Sequence, residues 1–229
     1  MTNQYVTGEY LERHPNWHEE DSAWKASQIL KLIERNKLRL SSISEVGCGA
    51  GEILRRLSLE LPQPCRFDGY DISPQAYAIS REKQNEKLRF FCEDYLGTPE
   101  THDGCLLIDV IEHIEDYFGF LRKLKTKSTF KILHIPLDIH AQGVMRNALI
   151  GTFNELGHLH FFTRDTAIRS LQLCGYEVLD WFYTNQATGL PPKRFKARIA
   201  RIPRIVSDAL SREFTVRALG GFSLMVLAK

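Results

Sequence analysis

The string Gly47-Cys48-Gly49-Ala50-Gly51 constrains this chain more than any other stretch. It follows a short apolar run, Ile43 to Val46, and it opens an amphipathic segment with Ile53, Leu54, Leu57 and Leu61 on one face. A strand that turns into a helix through such a loop needs a sharp bend, and its backbone can be approached without meeting a Cβ. The helix that follows presents N–H groups that have no partner within the helix. A glycine loop alone is also what a tight turn looks like. Its place after the first strand of an alternating pattern is what gives it weight.

That alternation runs through most of the chain. Arg66 to Asp71 reads as a second strand, and Ser73 caps a helix with Pro74 in its first turn. Leu88 to Cys92 is a third strand, and Cys105 to Val110 a fourth, almost wholly apolar as a central parallel strand should be. A helix around Tyr117 to Leu124 leads to a fifth strand, Phe130 to Ile135, stopped by Pro136. Thr163 caps a helix through Leu173, Gly175 stops it, and Tyr176 to Tyr183 and Phe222 to Ala228 read as the last two strands. Strands alternating with helices predict an α/β domain with a mostly parallel sheet and helices on both faces. Upstream, residues 1–38 form an N-terminal helical segment. Asp21 or Ser22 caps its helix, whose Ala26, Ile29, Leu30 and Ile33 follow at helical spacing, while Trp17 and Trp24 flanking the cap read as packing residues first and as a lid over a ligand second.

Composition narrows the class. The 229 residues suffice for a single domain, with 43% apolar and 25% charged residues, as in soluble globular proteins. Five scattered cysteines with no C-x-x-C pair argue against a disulfide framework and a zinc ribbon. No apolar run is long enough to span a bilayer, and the polar N-terminus carries no signal core. A cytoplasmic setting is the simplest expectation. A net charge of +2 points to no polyanionic partner, so nucleic acid is not expected.

Asp71 lies 20 positions after Gly51, at the end of the second strand, where a carboxylate can accept both hydroxyls of a ribose. The glycine spacing separates nucleotide classes: a dinucleotide fingerprint places its third glycine three positions after the second, and here it comes after two. G-x-G-x-G preceded by Glu45 resembles the first motif of the class I S-adenosylmethionine-dependent methyltransferases. The resemblance continues, in order, through Cys92-Glu93-Asp94-Tyr95, Leu107 to Ile114, Ile132-Leu133-His134-Ile135-Pro136, and Gly157 to Thr163 with Gly175 to Val178. It implies a Rossmann-like seven-stranded sheet in order 3-2-1-4-5-7-6 with the last strand antiparallel, and S-adenosylmethionine as cofactor.

The resemblance also implies the cofactor contacts. Backbone around Gly47 and Asp109 would hold the methionine amino group, with Glu45, Cys48 and Val110 in the same wall. Gly49 and Gly51 would let the loop pass beneath the cofactor. Asp71 would take the ribose, Ile72 would pack on adenine, and Asp94 with Tyr95 would complete that pocket. Competing readings are a nicotinamide-dependent oxidoreductase, disfavoured by the glycine spacing, and a non-catalytic binding protein on the same fold.

The acceptor side is less constrained. The expected acceptor is a small molecule, a glycan or a lipid precursor, methylated at oxygen. A hydroxyl acceptor profits from a general base. Among His113, His134, His140, His158 and His160, His113 is the first choice and His158 the second. Asp109-x-x-Glu112-His113 resembles a metal-holding variant found in some O-methyltransferases, with His158 or His160 as a further ligand. Glu-His after the fourth strand also occurs in members without metal, so no metal is assigned. Two stretches break the alternation, 137–159 and 185–217, and read as insertions covering the acceptor. The second has eight Lys/Arg against two Asp/Glu, and residues 193–204 within it offer a peripheral membrane contact.

Overall fold

A computed structural model describes residues 19–61, 64–185 and 205–229. Its centre is one seven-stranded sheet in the order β3-β2-β1-β4-β5-β7-β6. The strands are β1 (Ser42–Val46), β2 (Arg66–Tyr70), β3 (Leu88–Phe91), β4 (His102–Ile108), β5 (Ser128–Pro136), β6 (Val178–Thr184) and β7 (Ser223–Ala228). β1 to β5 pair in parallel, and β7 runs antiparallel to both β5 and β6. The expected order and the reversed last strand are both present. A classical dinucleotide sheet has no such inserted reversed strand, so the oxidoreductase alternative loses its architectural footing.

Strand alternation explains why both sheet faces are covered. In β4, Cys105 and Leu107 enter one apolar cluster while Leu106 and Ile108 enter the other. β7 divides the same way, with Leu224 and Val226 on one side and Met225 and Leu227 on the other. Each such fully buried aliphatic side chain contributes roughly 1.5–3 kcal/mol. The first face is covered by α4 (Tyr117–Leu124) and α7 (Arg164–Leu173), through Leu121, Leu124, Ala167 and Leu171. The second is covered by α1 (Glu19–Arg35) and α2 (Glu52–Glu60), through Ala26, Ile29, Leu32, Leu54 and Leu57.

Local signals act as the sequence suggests. Ser73 accepts the Ala76 N–H at the start of α3 (Pro74–Ser80), and Thr163 forms a capping box with Thr166 at the start of α7. Two details of α1 differ. The helix begins by Glu19, so Asp21 and Ser22 lie within it rather than capping it. Leu32 is fully buried in place of Leu30, which is half-buried, because the sheet contact falls one residue round the helix from the expected stripe. Trp24 meets the edge of His134 at 6.1 Å, as a packing residue should, while Trp17 lies outside the described residues.

After β5 the chain forms α5 (Ala141–Met145) and α6 (Ala148–Leu156), and α8 (Arg212–Ala218) precedes β7 and touches α5. Val144, Met145, Ile150 and Phe153 are 45–86% exposed on these two added helices. No described helix is long and apolar enough to cross a membrane.

Candidate active site

Parallel strands β1, β2, β4 and β5 end on one edge of the sheet, and their C-terminal loops enclose a cleft of about 430 Å³. At its base is the glycine loop. Gly47, Gly49 and Gly51 have φ of +70°, +53° and +76°, a region that side chains strain to adopt. The loop is tied to β2, where the Tyr70 carbonyl accepts the N–H groups of Gly47 (2.8 Å) and Cys48 (3.2 Å). A Cβ on Gly47 would sit 3.0 Å from Val110, and one on Gly51 would sit 2.4 Å from the Phe90 ring. Gly51 is therefore glycine for close loop–sheet packing, as well as for backing the cleft. α2 starts at this loop with no side-chain cap, so its first N–H groups point at the cleft mouth. Cys48 is buried, and burial pushes its thiol well up, so it stays neutral.

Asp71 stands at the end of β2. Its two carboxylate oxygens accept the N–H groups of Gly49 and Ser73, each at 2.8 Å. Those bonds fix the carboxylate while leaving each oxygen room for a second donor. Burial raises its pKa, against the opposing pull of the backbone donors. Ile72 lines the cleft beside it and is half-buried. Asp94 is exposed and accepts the Leu96 N–H at 3.0 Å. Tyr95 differs from expectation. It borders the cleft but has no exposed surface, its ring lies 4.6 Å from that of Tyr70, and its hydroxyl donates to the Lys127 carbonyl and meets His102. Its ring belongs to the core because a buried Asp68–His102 pair gives its hydroxyl a partner there.

Asp109, just past β4, takes φ of +56°, rare for a non-glycine residue. One carboxylate oxygen meets His134 at 2.6 Å and the other meets Lys25 at 2.7 Å. Burial opposes its ionisation, but His134 and Lys25 outweigh it and hold the carboxyl well below its usual range. Lys25 was not among the expected site residues. The sequence did hold a signal: Asp21, Ser22 and Lys25 lie within one turn of an amphipathic helix, and all three line the cleft. α1 thus both packs the sheet and walls the site. Glu45 is buried, one of its carboxylate oxygens has no hydrogen-bond partner, and burial pushes it up to about 8.

The five histidines separate cleanly. His134 orients Asp109 and contacts Thr184. His140 accepts the Gly143 N–H at the start of α5. His160 donates to the carbonyls of Ile114 and Glu115. His113 and His158 line the cleft side by side, with ring centroids 4.9 Å apart and planes at 84°. His158 is held by Asp138 at 2.8 Å, and His113 donates from Nδ1 to the Gly157 carbonyl at 3.0 Å. Burial lowers His113 to about 4. Next to them Glu112 is fully buried, and burial, then repulsion from Asp109, raises its carboxyl well above the usual range.

Residues 44–127 match a family described as a methyltransferase domain. The sheet order around that segment is the one expected of the class I methyltransferase fold. Solved structures agree at the level of fold. The N-methyltransferase NodS from Bradyrhizobium japonicum WM9, in complex with S-adenosyl-L-homocysteine, matches with a TM-score of 0.58 at 15% identity, over 90% of this chain and 85% of its own. Magnesium protoporphyrin IX methyltransferase ChlM from Synechocystis PCC 6803, with the same product bound, matches with a TM-score of 0.57 at 15% identity, over 93% and 82%. The cyclase SpnF has a TM-score of 0.59 at 16% identity, over 89% and 79%. No curated protein matches the sequence.

S-adenosylmethionine is the cofactor of the class I methyltransferases, and the residues present suit it. The glycine loop leaves backbone bare, Asp71 offers a fixed pair of acceptors, and an unpartnered Glu45 oxygen lies in the wall where positive charge is welcome. The cofactor, when bound, supplies a methyl group on a positively charged sulfur.

Proposed function

We propose that this enzyme transfers a methyl group to an oxygen atom of a small-molecule, glycan or lipid-precursor acceptor. The observation that carries the reading is one continuous cleft lined by the glycine loop and Asp71 at one end and by His113 and His158 at the other. Asp71 receives the ribose hydroxyls. Ile72 packs on adenine, and Asp94 accepts from its amino group at the rim. Backbone at Gly47 and Asp109 takes the methionine amino group, and Lys25 lies beside them to balance its carboxylate. No enzyme nucleophile is needed, because the cofactor, when bound, would supply an activated methyl group directly to the acceptor oxygen. The acceptor's proton must leave, and it leaves at the His113–His158 end.

Of the added helices, α6 reaches the cleft through Leu156, and α8 stands against α5. The exposed apolar side chains of α6, Ile150, Phe153 and Leu156, would suit the non-reacting part of the acceptor. The basic residues 193–204, proposed as a membrane contact, lie outside the described residues. Two measurements test the reading. Calorimetry should give micromolar affinity for S-adenosylmethionine and its demethylated product, on the order of −7 to −9 kcal/mol. Labelled methyl should then enter an acceptor pool as an ether or ester. No heat with either ligand, or label recovered only on nitrogen, sinks it.

A further inference from the structure

We propose that the acceptor carries a protonated amine on the carbon next to its reacting hydroxyl, with Glu112 receiving the amine and His158 the hydroxyl. The case begins with charge. Lys25 is the one Lys or Arg among the described residues that line the cleft, and it is committed to Asp109 at 2.7 Å. Asp21, Asp109, Glu112 and Asp138 line the cleft with it. A wall of that balance repels a phosphate or carboxylate on the acceptor and attracts a positive group.

Glu112 makes the preference local. It is 0% exposed, it lines the cleft, and neither of its carboxylate oxygens has a hydrogen-bond partner. Asp109 has His134 and Lys25, and Asp138 has His158, but Glu112 is left without a donor. A carboxyl group buried that way is costly until donors reach it. An organic ammonium brings N–H donors together with the opposite charge. The backbone keeps Glu112 from turning away, because its carbonyl accepts the N–H groups of Leu159 (2.7 Å) and His160 (3.1 Å). Those two bonds also hold the segment carrying His158 against the turn carrying Glu112.

His158 sets the spacing. Its Nδ1 is bonded to the Asp138 carboxylate at 2.8 Å, which assigns Nε2 to accept from a hydroxyl. A carboxylate oxygen of Glu112 and a ring nitrogen of His158 lie within 4.8 Å of each other. An ammonium and a hydroxyl, each about 2.8 Å from its protein partner, then belong on adjacent carbons of one ligand. The acceptor class is a vicinal amino alcohol, the unit that an amino sugar carries. The hydroxyl half rests on the oxygen-acceptor reading, and the amine half does not.

The test uses the full chain and three probes of matched shape: 2-aminocyclohexanol, cyclohexane-1,2-diol and 2-hydroxycyclohexanecarboxylate. Their dissociation constants are read by ligand-observed NMR at neutral pH. A chelator removes bridging metal, and high salt removes diffuse attraction. The amine should bind about tenfold tighter than the diol, with the carboxylate weakest. Glu112→Gln should bring the amine and the diol to within about twofold of each other, while Glu115→Gln, at an exposed acid nearby, should keep the parent preference. S-adenosylhomocysteine binding, measured on every form, reports an intact fold and tests the cofactor reading separately. A diol that binds as well as the amine in the parent overturns the proposal, whatever the variants do. So does an amine preference that persists in a Glu112→Gln form still able to bind S-adenosylhomocysteine. The amine preference in a chain with no S-adenosylhomocysteine affinity upholds the proposal and removes the cofactor reading instead.

Discussion

Gly51 answers to two constraints at once, a φ of +76° and a Phe90 ring where its Cβ would be. Neither is relieved by a flexible neighbour, since Phe90 is itself 2% exposed in β3. Gly51→Ala should destabilise the fold by about 2–4 kcal/mol, read as a lower urea midpoint with an unchanged slope. A shift below about 0.5 kcal/mol, the usual surface range, would mean that β3 yields to the methyl. Asp71, proposed above to receive the ribose, also ties the glycine loop to the start of α3. Asp71→Ala should weaken S-adenosylhomocysteine binding by roughly 1.5–3 kcal/mol through lost charge-assisted bonds. It should also cost the ligand-free fold about 1 kcal/mol, because the N–H groups of Gly49 and Ser73 lose their acceptor. Equal affinity in mutant and parent places the ribose elsewhere.

At the scale of elements, α1 and α6 are opposites. α1 buries Ala26, Ile29, Leu32 and Ile33 in the second core cluster and turns Lys25 toward Asp109. Lys25→Met leaves the half-buried Asp109 carboxylate with only its hydrogen bond to His134. The expected cost is about 2–4 kcal/mol, checked by thermal and urea unfolding. A melt matching the parent would mean that the Lys25–Asp109 pair contributes nothing net. α6 buries none of its residues. Phe153 is 45% exposed, so Phe153→Ser should shift stability by no more than about 0.5 kcal/mol. If α6 covers the acceptor, the same change should raise the acceptor KM with little effect on cofactor affinity. An unaltered KM would leave α6 outside the acceptor pocket.

For the whole molecule, buried titratable groups set how stability follows pH. Glu45 is raised to about 8, so between about 4.5 and 8 the folded state holds a proton that the unfolded state has released. Stability falls with rising pH across that window. His113 works the other way: lowered to about 4, it makes stability rise with pH between about 4 and 6.5 and has no further effect above. The two oppose each other below about 6.5, and Glu45 acts alone of the pair above it. The ligand-free protein should therefore lose stability between about pH 6.5 and 8. Glu45→Gln should flatten that decline in urea titrations. A parent whose stability rises steadily to pH 8 refutes the burial argument.

The sequence by itself determined the sheet. Alternating apolar strands and helices, Gly47 to Gly51, and Asp71 at its spacing are local patterns, and each fixes backbone conformation within a few residues. Strand boundaries shifted by up to three residues: β4 begins at His102 instead of Cys105, where ladder pairing with Ser128 extends it. The placement of Asp71, Ile72 and Asp109 around the cleft was legible for the same reason, since strand ends fall where the fold puts them. What the tertiary structure decided was which polar groups meet. Lys25 and Asp109 are far apart in sequence, as are Glu112 and His158. Nothing in a local window says that His140 and His160 are spent on backbone groups while His113 and His158 face the cleft. Tyr95 shows the same limit. Its position beside Asp94 suited an adenine pocket, but His102 and the Lys127 carbonyl supplied its hydroxyl with buried partners, and that drew the ring into the core. Backbone preferences are short-ranged and written in the chain. The pairing of buried charges is long-ranged, and it is settled only when the strands are packed.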